Sequence, residues 1–263
     1  MQDTQINNTP KPLKKRMTFA QIQEKAAKDR ISLVQDDNIF FILLPKEDNQ
    51  FDYDFIKQYH ECLDIIEKSK GPAIMATVNL GGKTFSSGFN LDVIKSSTDP
   101  YELPVLMQQL LARILVFPIP TACIFDGIAV AGGLIFGLVF DFRIIREEKA
   151  FVQLNELNVG IGLMPGFAAI IRNQLDSQMA RLLIYGKRYK SEQSRKMKIV
   201  QKIYRDEQDM INLVSLFYKE FGHLGGRREA LYETKINMHY DTYKMLKELP
   251  PLKLATLNNE FKL

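Results

Sequence analysis

The sequence predicts an α/β fold with a largely parallel sheet. Three observations lead there. Short apolar strand candidates alternate with amphipathic helix candidates along most of the chain. The apolar fraction is 46%, enough to fill one sizeable core in 263 residues. And Thr121–Phe125, a strand candidate, feeds an apolar helix candidate, Leu134–Phe140, through the small-residue turn Ala129–Gly133. Strand-to-helix passage through glycines is the connection a parallel sheet requires.

In chain order, Met1–Arg16 is polar, carries Pro10, Pro12 and the Lys14-Lys15-Arg16 cluster, and reads as a flexible arm. Thr18 with Gln21 makes a capping box for a short helix, Phe19–Lys28, with Phe19, Ile22 and Ala26 on one face. Its basic, amphipathic character fits a mitochondrial presequence. Asp3, Glu24 and Asp29 favour instead a helix docked on the domain or on a partner. Ile31–Val34 and Ile39–Leu44 read as strands around the turn Gln35–Asn38. Tyr53–Lys68 follows as an amphipathic helix, then Ala73–Val78 as a strand. Leu103–Val116 is a helix with Pro104 in its first turn, where a missing N–H is tolerated. After the central stretch come strands Phe142–Ile145 and Ala150–Leu154, then a Gly/Pro-rich loop. Arg143 and Arg146 bracket Ile144 and Ile145 as on a strand with one wet face. Four helices close the chain: Ser177–Tyr185, Ser191–Lys198, Glu207–Phe221 and Arg227–Leu249, the last stopped by Pro250-Pro251. This organises the chain as an N-terminal arm and helix (1–29), a core (30–200) and a helical C-terminal region (201–263).

Composition narrows the function. A net charge of +4 from scattered basic residues does not point to nucleic acid. Cys62 and Cys123, both in apolar patterns, read as buried free thiols in a reducing compartment. His60, His223 and His239 are too dispersed for a zinc site, so no metal is expected. The longest uncharged apolar run, Gly127–Phe140, is shorter than the roughly 18 residues a membrane span needs. No secretory signal is expected from the N-terminal composition.

Local chemistry singles out two features. Backbone N–H groups at a helix start opened by Gly132 and Gly133 lack intrahelical partners and suit a developing negative charge. Close helix–strand packing explains the same glycines equally well. Glu156, among Leu154, Leu157 and Val159, is either a solvated surface charge or a carboxylate with a raised pKa. Asp126 and Asp141 flank the motif and read as turn and helix-end residues.

The run PTACIFDGIAVAGGLIFGLVFDFRII, with GGKTFSSGFNLDVI upstream and NELNVGIGLMPG downstream, resembles the crotonase superfamily of enoyl-CoA hydratases and isomerases over roughly Ile31–Tyr204. The resemblance implies a crotonase-like spiral of ββα units. It implies an acyl-CoA substrate and a homotrimer or hexamer, with no cofactor beyond the coenzyme A of the thioester. It places two oxyanion N–H groups on Phe89 and Gly132, within a substrate-binding segment of Ser86, Ser87, Gly88, Leu91, Gly133 and Ile135. Glu156 falls on a family carboxylate. Ile135 falls where hydratases of the family carry their second glutamate, and a hydrocarbon cannot activate water. With Leu154-Asn155-Glu156, this resembles the double-bond isomerase branch. Two departures stand out. The triplet Ala131-Gly132-Gly133 begins with alanine. In Pro45-Lys46-Glu47-Asp48-Asn49, acids replace the bases that meet the nucleotide in a PEKRN-like run, leaving Lys46 as the basic group. These departures also fit a crotonase-fold subunit of a larger, for example mitochondrial, assembly without activity of its own. Thioester hydrolysis or weak hydration on the same platform is a third reading. The terminal Phe261-Lys262-Leu263 half-matches a peroxisomal address, so peroxisome and mitochondrion both stay open.

Overall fold

A computed structural model describes residues 16–45 and 47–248. The expectations for most of the N-terminal arm, for Lys46, for the Pro250-Pro251 stop and for Phe261-Lys262-Leu263 lie outside the described residues.

The capping box forms, and α1 (Phe19–Lys25) follows it. This helix docks on the domain: Phe19 and Ile22 are buried, the Met17 N–H donates to Asp36 Oδ2 at 3.1 Å, and Gln23 donates to the Leu80 carbonyl. Strands β1 (Ser32–Asp36) and β2 (Ile39–Leu44) form an antiparallel pair, followed by α2 (Tyr53–Lys68) and β3 (Ile74–Asn79). Next come β4 (Thr84–Ser86), α3 (Leu91–Ser96) and α4 (Glu102–Leu115). The central stretch supplies β5 (Thr121–Phe125), β6 (Ile128–Val130), α5 (Gly132–Leu138), β7 (Phe142–Arg146) and β8 (Phe151–Gln153). After it come α6 (Pro165–Gln174), α7 (Ser177–Leu183), β9 (Tyr189–Lys190), α8 (Ser191–Lys196), β10 (Lys202–Tyr204), α9 (Glu207–Phe221), α10 (Arg228–Met238) and α11 (Tyr240–Glu248).

Two sheets result. The larger runs β1-β2-β3-β5-β7-β10, parallel from β2 onward. The smaller runs β4-β6-β8-β9, with β4, β6 and β8 parallel. The unbroken apolar run of β2 reflects burial on both faces. Phe40, Ile42 and Leu44 join the main core with α2, α4, α5 and α6, while Ile39, Phe41 and Leu43 face a second cluster closed by α1 and α9.

Several local expectations are corrected. The turn Ala129–Gly133 is in part a strand, because β6 is paired on both sides, by β4 and β8. The Gly/Pro-rich loop ends in α6, where Pro165 occupies the first turn. The single helix Arg227–Leu249 breaks at His239, and α11 turns back to pack on α4 and α6. Arg143 does not face water. It is buried and donates to the carbonyls of Ile199 (2.7 Å) and Phe140 (2.8 Å), and burial lowers its pKa to about 10. Asp126 and Asp141 do more than shape turns. Asp126 receives Arg146 Nε and the Tyr204 hydroxyl, and Asp141 receives the Thr121 N–H (2.8 Å) and the buried Lys235 ammonium (2.6 Å). Both cysteines are buried and free, and burial pushes Cys62 up to about 12.

Candidate active site

The sequence-predicted residues gather at the carboxyl ends of three neighbouring parallel strands. Strand β4 ends at Ser86 and leads to Gly88-Phe89; β6 leads to Gly132; β8 leads to Glu156. The registers Ser86↔Ala129 and Val130↔Gln153 set these strand ends side by side. The Ala131 N–H donates to the Gln153 carbonyl at 2.9 Å, so the exit of β6 is fixed three residues before Glu156. The carboxyl end of a parallel sheet is where α/β proteins bind ligands, because the connecting loops diverge there.

The Gly88-Phe89 segment is tied to the preceding loop. The Phe51 N–H donates to the Gly88 carbonyl (2.8 Å) and the Asn90 N–H to the Phe51 carbonyl (3.0 Å). Between these two bonds the Phe89 N–H has no acceptor among the described residues. Gly132 opens α5, so its N–H likewise has no intrahelical partner. Ser86 and Ser87 serve this scaffold. Ser86 Oγ donates to the Asn49 carbonyl (2.7 Å), and Ser87 Oγ to Asp48 Oδ2 (2.6 Å). Asp48, one of the acids in the PEKRN-like run, thus anchors the loop it faces.

The glycines are set by close approach. A Cβ on Gly133 would meet the Ser86 carbonyl oxygen at 2.2 Å, and one on Gly132 would lie 3.1 Å from the Phe51 ring. Gly88 has φ +91, a left-handed value that suits glycine. Ala131 stands at φ 52, ψ −128, in a region that a Cβ disfavours. The alanine-for-glycine departure is therefore a point of backbone strain at the start of α5.

Glu156 begins a short 3-10 turn, Glu156–Val159, closed by the Ile161 N–H on the Glu156 carbonyl (2.9 Å) and by Gly160 at φ 75. The residue is 9% exposed, and its Oε2 is buried with no hydrogen-bond partner. Burial raises its pKa from 4.5 to about 7, only partly offset by its own backbone N–H. The sequence argument for that shift leaned on Leu154, Leu157 and Val159; Leu154 is buried, but the other two are exposed, at 52% and 51%. The turn projects them outward and folds the carboxylate in. Ile135 is fully buried in the core, one turn into α5, and Leu91 is half exposed at the start of α3.

Aromatic rings fill the surroundings. Phe89 stacks on Phe167 with centroids 6.1 Å apart and meets Phe51 edge-on at 5.9 Å. A cleft of about 1130 Å³ opens elsewhere, along Leu80–Lys83, Asp126–Ile128 and Arg146–Phe151, and none of Phe89, Gly132 or Glu156 lines it. Among the described residues no group of three or more His, Cys, Asp or Glu could hold a metal, and no helix is long and apolar enough to cross a membrane.

Residues 37–221 match the enoyl-CoA hydratase/isomerase family, and the chain belongs to it. Enoyl-CoA delta isomerase 3 of Arabidopsis thaliana is 28% identical over 180 residues, covering 64% of this chain and 74% of that protein. The peroxisomal enoyl-CoA delta isomerase 2 of the same plant is 25% identical over 159 residues, 57% of this chain but only 65% of that protein's length. A putative enoyl-CoA hydratase of Thermus thermophilus is 25% identical over 173 residues, covering 63% of this chain and 66% of that protein. Among solved structures, an enoyl-CoA hydratase/isomerase family protein of Pseudomonas syringae superposes with a TM-score of 0.73 at 22% identity, over 85% of this chain and 97% of its own. That likeness is one of fold, and it is the crotonase-like α/β fold expected from the sequence.

Proposed function

We propose that this protein is an enoyl-CoA double-bond isomerase, converting 3-enoyl-CoA to trans-2-enoyl-CoA in the oxidation of unsaturated fatty acids. The observation that carries this reading is the buried Glu156 carboxyl, with one free oxygen and a pKa of about 7, unaccompanied by an acid at Ile135. A carboxylate poised near neutrality suits proton transfer in both directions. Glu156 takes a proton from the α carbon, and the charge spreads into a dienolate whose oxygen rests on the N–H groups of Phe89 and Gly132. The protonated carboxyl then returns the proton to the γ carbon. Each oxyanion donor contributes roughly 3–4 kcal/mol to such a transition state. One carboxyl and two N–H groups complete the reaction without a further cofactor.

The three delta isomerases among the relatives support this reading, and the peroxisomal designation of two of them favours that compartment. Assembly as a homotrimer or hexamer is part of the proposal and rests on the family resemblance. Incubation with a 3-enoyl-CoA, followed by the absorbance of the conjugated product, tests the activity. Conversion no faster than by Glu156→Gln rejects it.

One observation favours a second reading, a crotonase-fold subunit without activity. The Phe51 ring packs against Gly132, and the Phe89 ring on Phe167, so aromatic side chains crowd both donor segments. Calorimetry with a saturated acyl-CoA separates the readings: absence of binding supports the inactive subunit.

A further inference from the structure

Gln108, on α4, is 1% exposed, and both ends of its amide are buried without a hydrogen-bond partner. Among the described residues it is the one side chain with two such orphaned atoms. Each buried, unmade hydrogen bond destabilises a fold, and native proteins keep few of them. A leucine would fill the same place without that penalty, so the amide calls for a partner that arrives from outside.

Its position says what kind. A Cβ on Gly166 would fall 2.1 Å from Gln108 Oε1 and 2.8 Å from Leu246, so α4, α6 and α11 converge at this amide. Gly166 lies in the first turn of the ten-residue helix α6, whose N-cap, Met164, offers no side-chain cap. The first N–H groups of that turn have no partner within the helix. The next residue, Phe167, stacks on Phe89. The orphaned amide thus meets α6 at Gly166, one residue before Phe167, whose ring packs on the ring of Phe89.

We propose that Gln108 and the first turn of α6 form a polar seat for the acyl chain, and that the preferred substrates are acyl-CoA thioesters carrying a neutral oxygen function, a hydroxyl or a keto group, on the chain. This rests on the isomerase reading and names its substrate class. With the thioester oxygen at Phe89 and Gly132, the chain passes Phe167 and brings its oxygen to the seat. An amide and uncapped N–H groups can donate to that oxygen, and Gln108 Oε1 can accept from a hydroxyl. A carboxylate is disfavoured, because burying a charge against a neutral amide costs far more than burying a hydroxyl or a carbonyl there.

Calorimetry on the full chain with non-reacting thioesters tests this apart from catalysis, comparing hexanoyl-CoA with its 6-hydroxy, 5-oxo and terminal carboxylate counterparts. The hydroxy and oxo thioesters bind at least about five-fold tighter than the plain one, as one net hydrogen bond implies. Q108L, checked for folding by thermal melting, equalises the series, and Gly166→Ala, whose methyl displaces the amide, does the same. Equal affinities in the wild type, the result if the seat holds only an ordered water, overturn the proposal. So does a preference that survives Q108L, or one for the carboxylate. If oxygenated chains bind tighter but 3-enoyl-CoA is not converted, the isomerase reading fails and the seat stands.

Discussion

Gly88 and Gly132 touch through their backbones. A Cβ added to Gly88 would stand 2.8 Å from the Gly132 nitrogen and 3.2 Å from its α carbon. The two segments bearing the candidate oxyanion donors are therefore held at one fixed spacing, and only a residue without a side chain permits it. Gly88→Ala combines this clash with an unfavourable φ of +91. It is expected to lower stability by about 2 kcal/mol. By shifting the Gly132 N–H it should also reduce kcat/KM at least about ten-fold, a fraction of one donor's worth. Urea unfolding and steady-state kinetics read the two effects separately.

Ala131 makes the opposite case. Its φ of 52 with ψ −128 is strained for alanine. Such strain is worth roughly 1–3 kcal/mol, against about 0.5–1 kcal/mol for the added chain freedom of glycine. Ala131→Gly should therefore stabilise the protein by about 1 kcal/mol, seen as a rise in urea midpoint with an unchanged slope.

The Glu156 carboxyl ties activity and stability to pH with opposite signs. The folded protein holds its proton up to about pH 7, whereas the unfolded chain releases it near 4.5. Stability therefore falls as pH rises from about 4.5 through 7, by roughly 3 kcal/mol in total. The base is the ionised form, so kcat/KM for the 3-enoyl thioester rises through the same upper limit. Glu156→Gln should abolish the rise in activity. It should also stabilise the protein at pH 8 while leaving it nearly unchanged at pH 4. Melting curves and pH–rate profiles on both proteins check the pair of signs.

Tyr204 fastens the helical C-terminal region to the core. Its hydroxyl donates to Asp126 Oδ1 at 2.5 Å, and the same oxygen receives Arg146. This lies beside the large cleft and away from the candidate site. Tyr204→Phe removes a buried hydrogen bond to a charged group and should lower stability by about 2 kcal/mol. Activity of the folded fraction should stay at the wild-type level, measured below the unfolding transition.

Much of this was legible in the residues. Alternation of strand and helix, the run Ile39–Leu44, the capping box at Thr18 and both glycine segments could be read because each depends on neighbours a few positions apart. Strand β6 was not, since Ile128, Ala129 and Val130 run directly into the glycines of the turn and become a strand only through partners supplied by β4 and β8. Arg143 showed only its local alternation. What buries it is a set of carbonyls from Leu138, Phe140 and Ile199, brought together by tertiary folding. For Glu156, the raised pKa was expected from three apolar neighbours of which only Leu154 is buried, because a 3-10 turn sent Leu157 and Val159 outward. Gln108 gave no signal at all. A glutamine inside an apolar helix stripe is ordinary until its lack of partners is seen.

The central claim is that one side chain carries a proton from the α to the γ carbon of a bound thioester. The most direct measurement supplies a 3-enoyl-CoA deuterated at its α carbon in ordinary water and maps label in the product by mass spectrometry. The account predicts 2-enoyl-CoA with part of the deuterium at the γ carbon, and no such product from Glu156→Gln. Equal turnover by the Glu156→Gln protein, or no turnover by the wild type under conditions where it binds acyl-CoA, would contradict it.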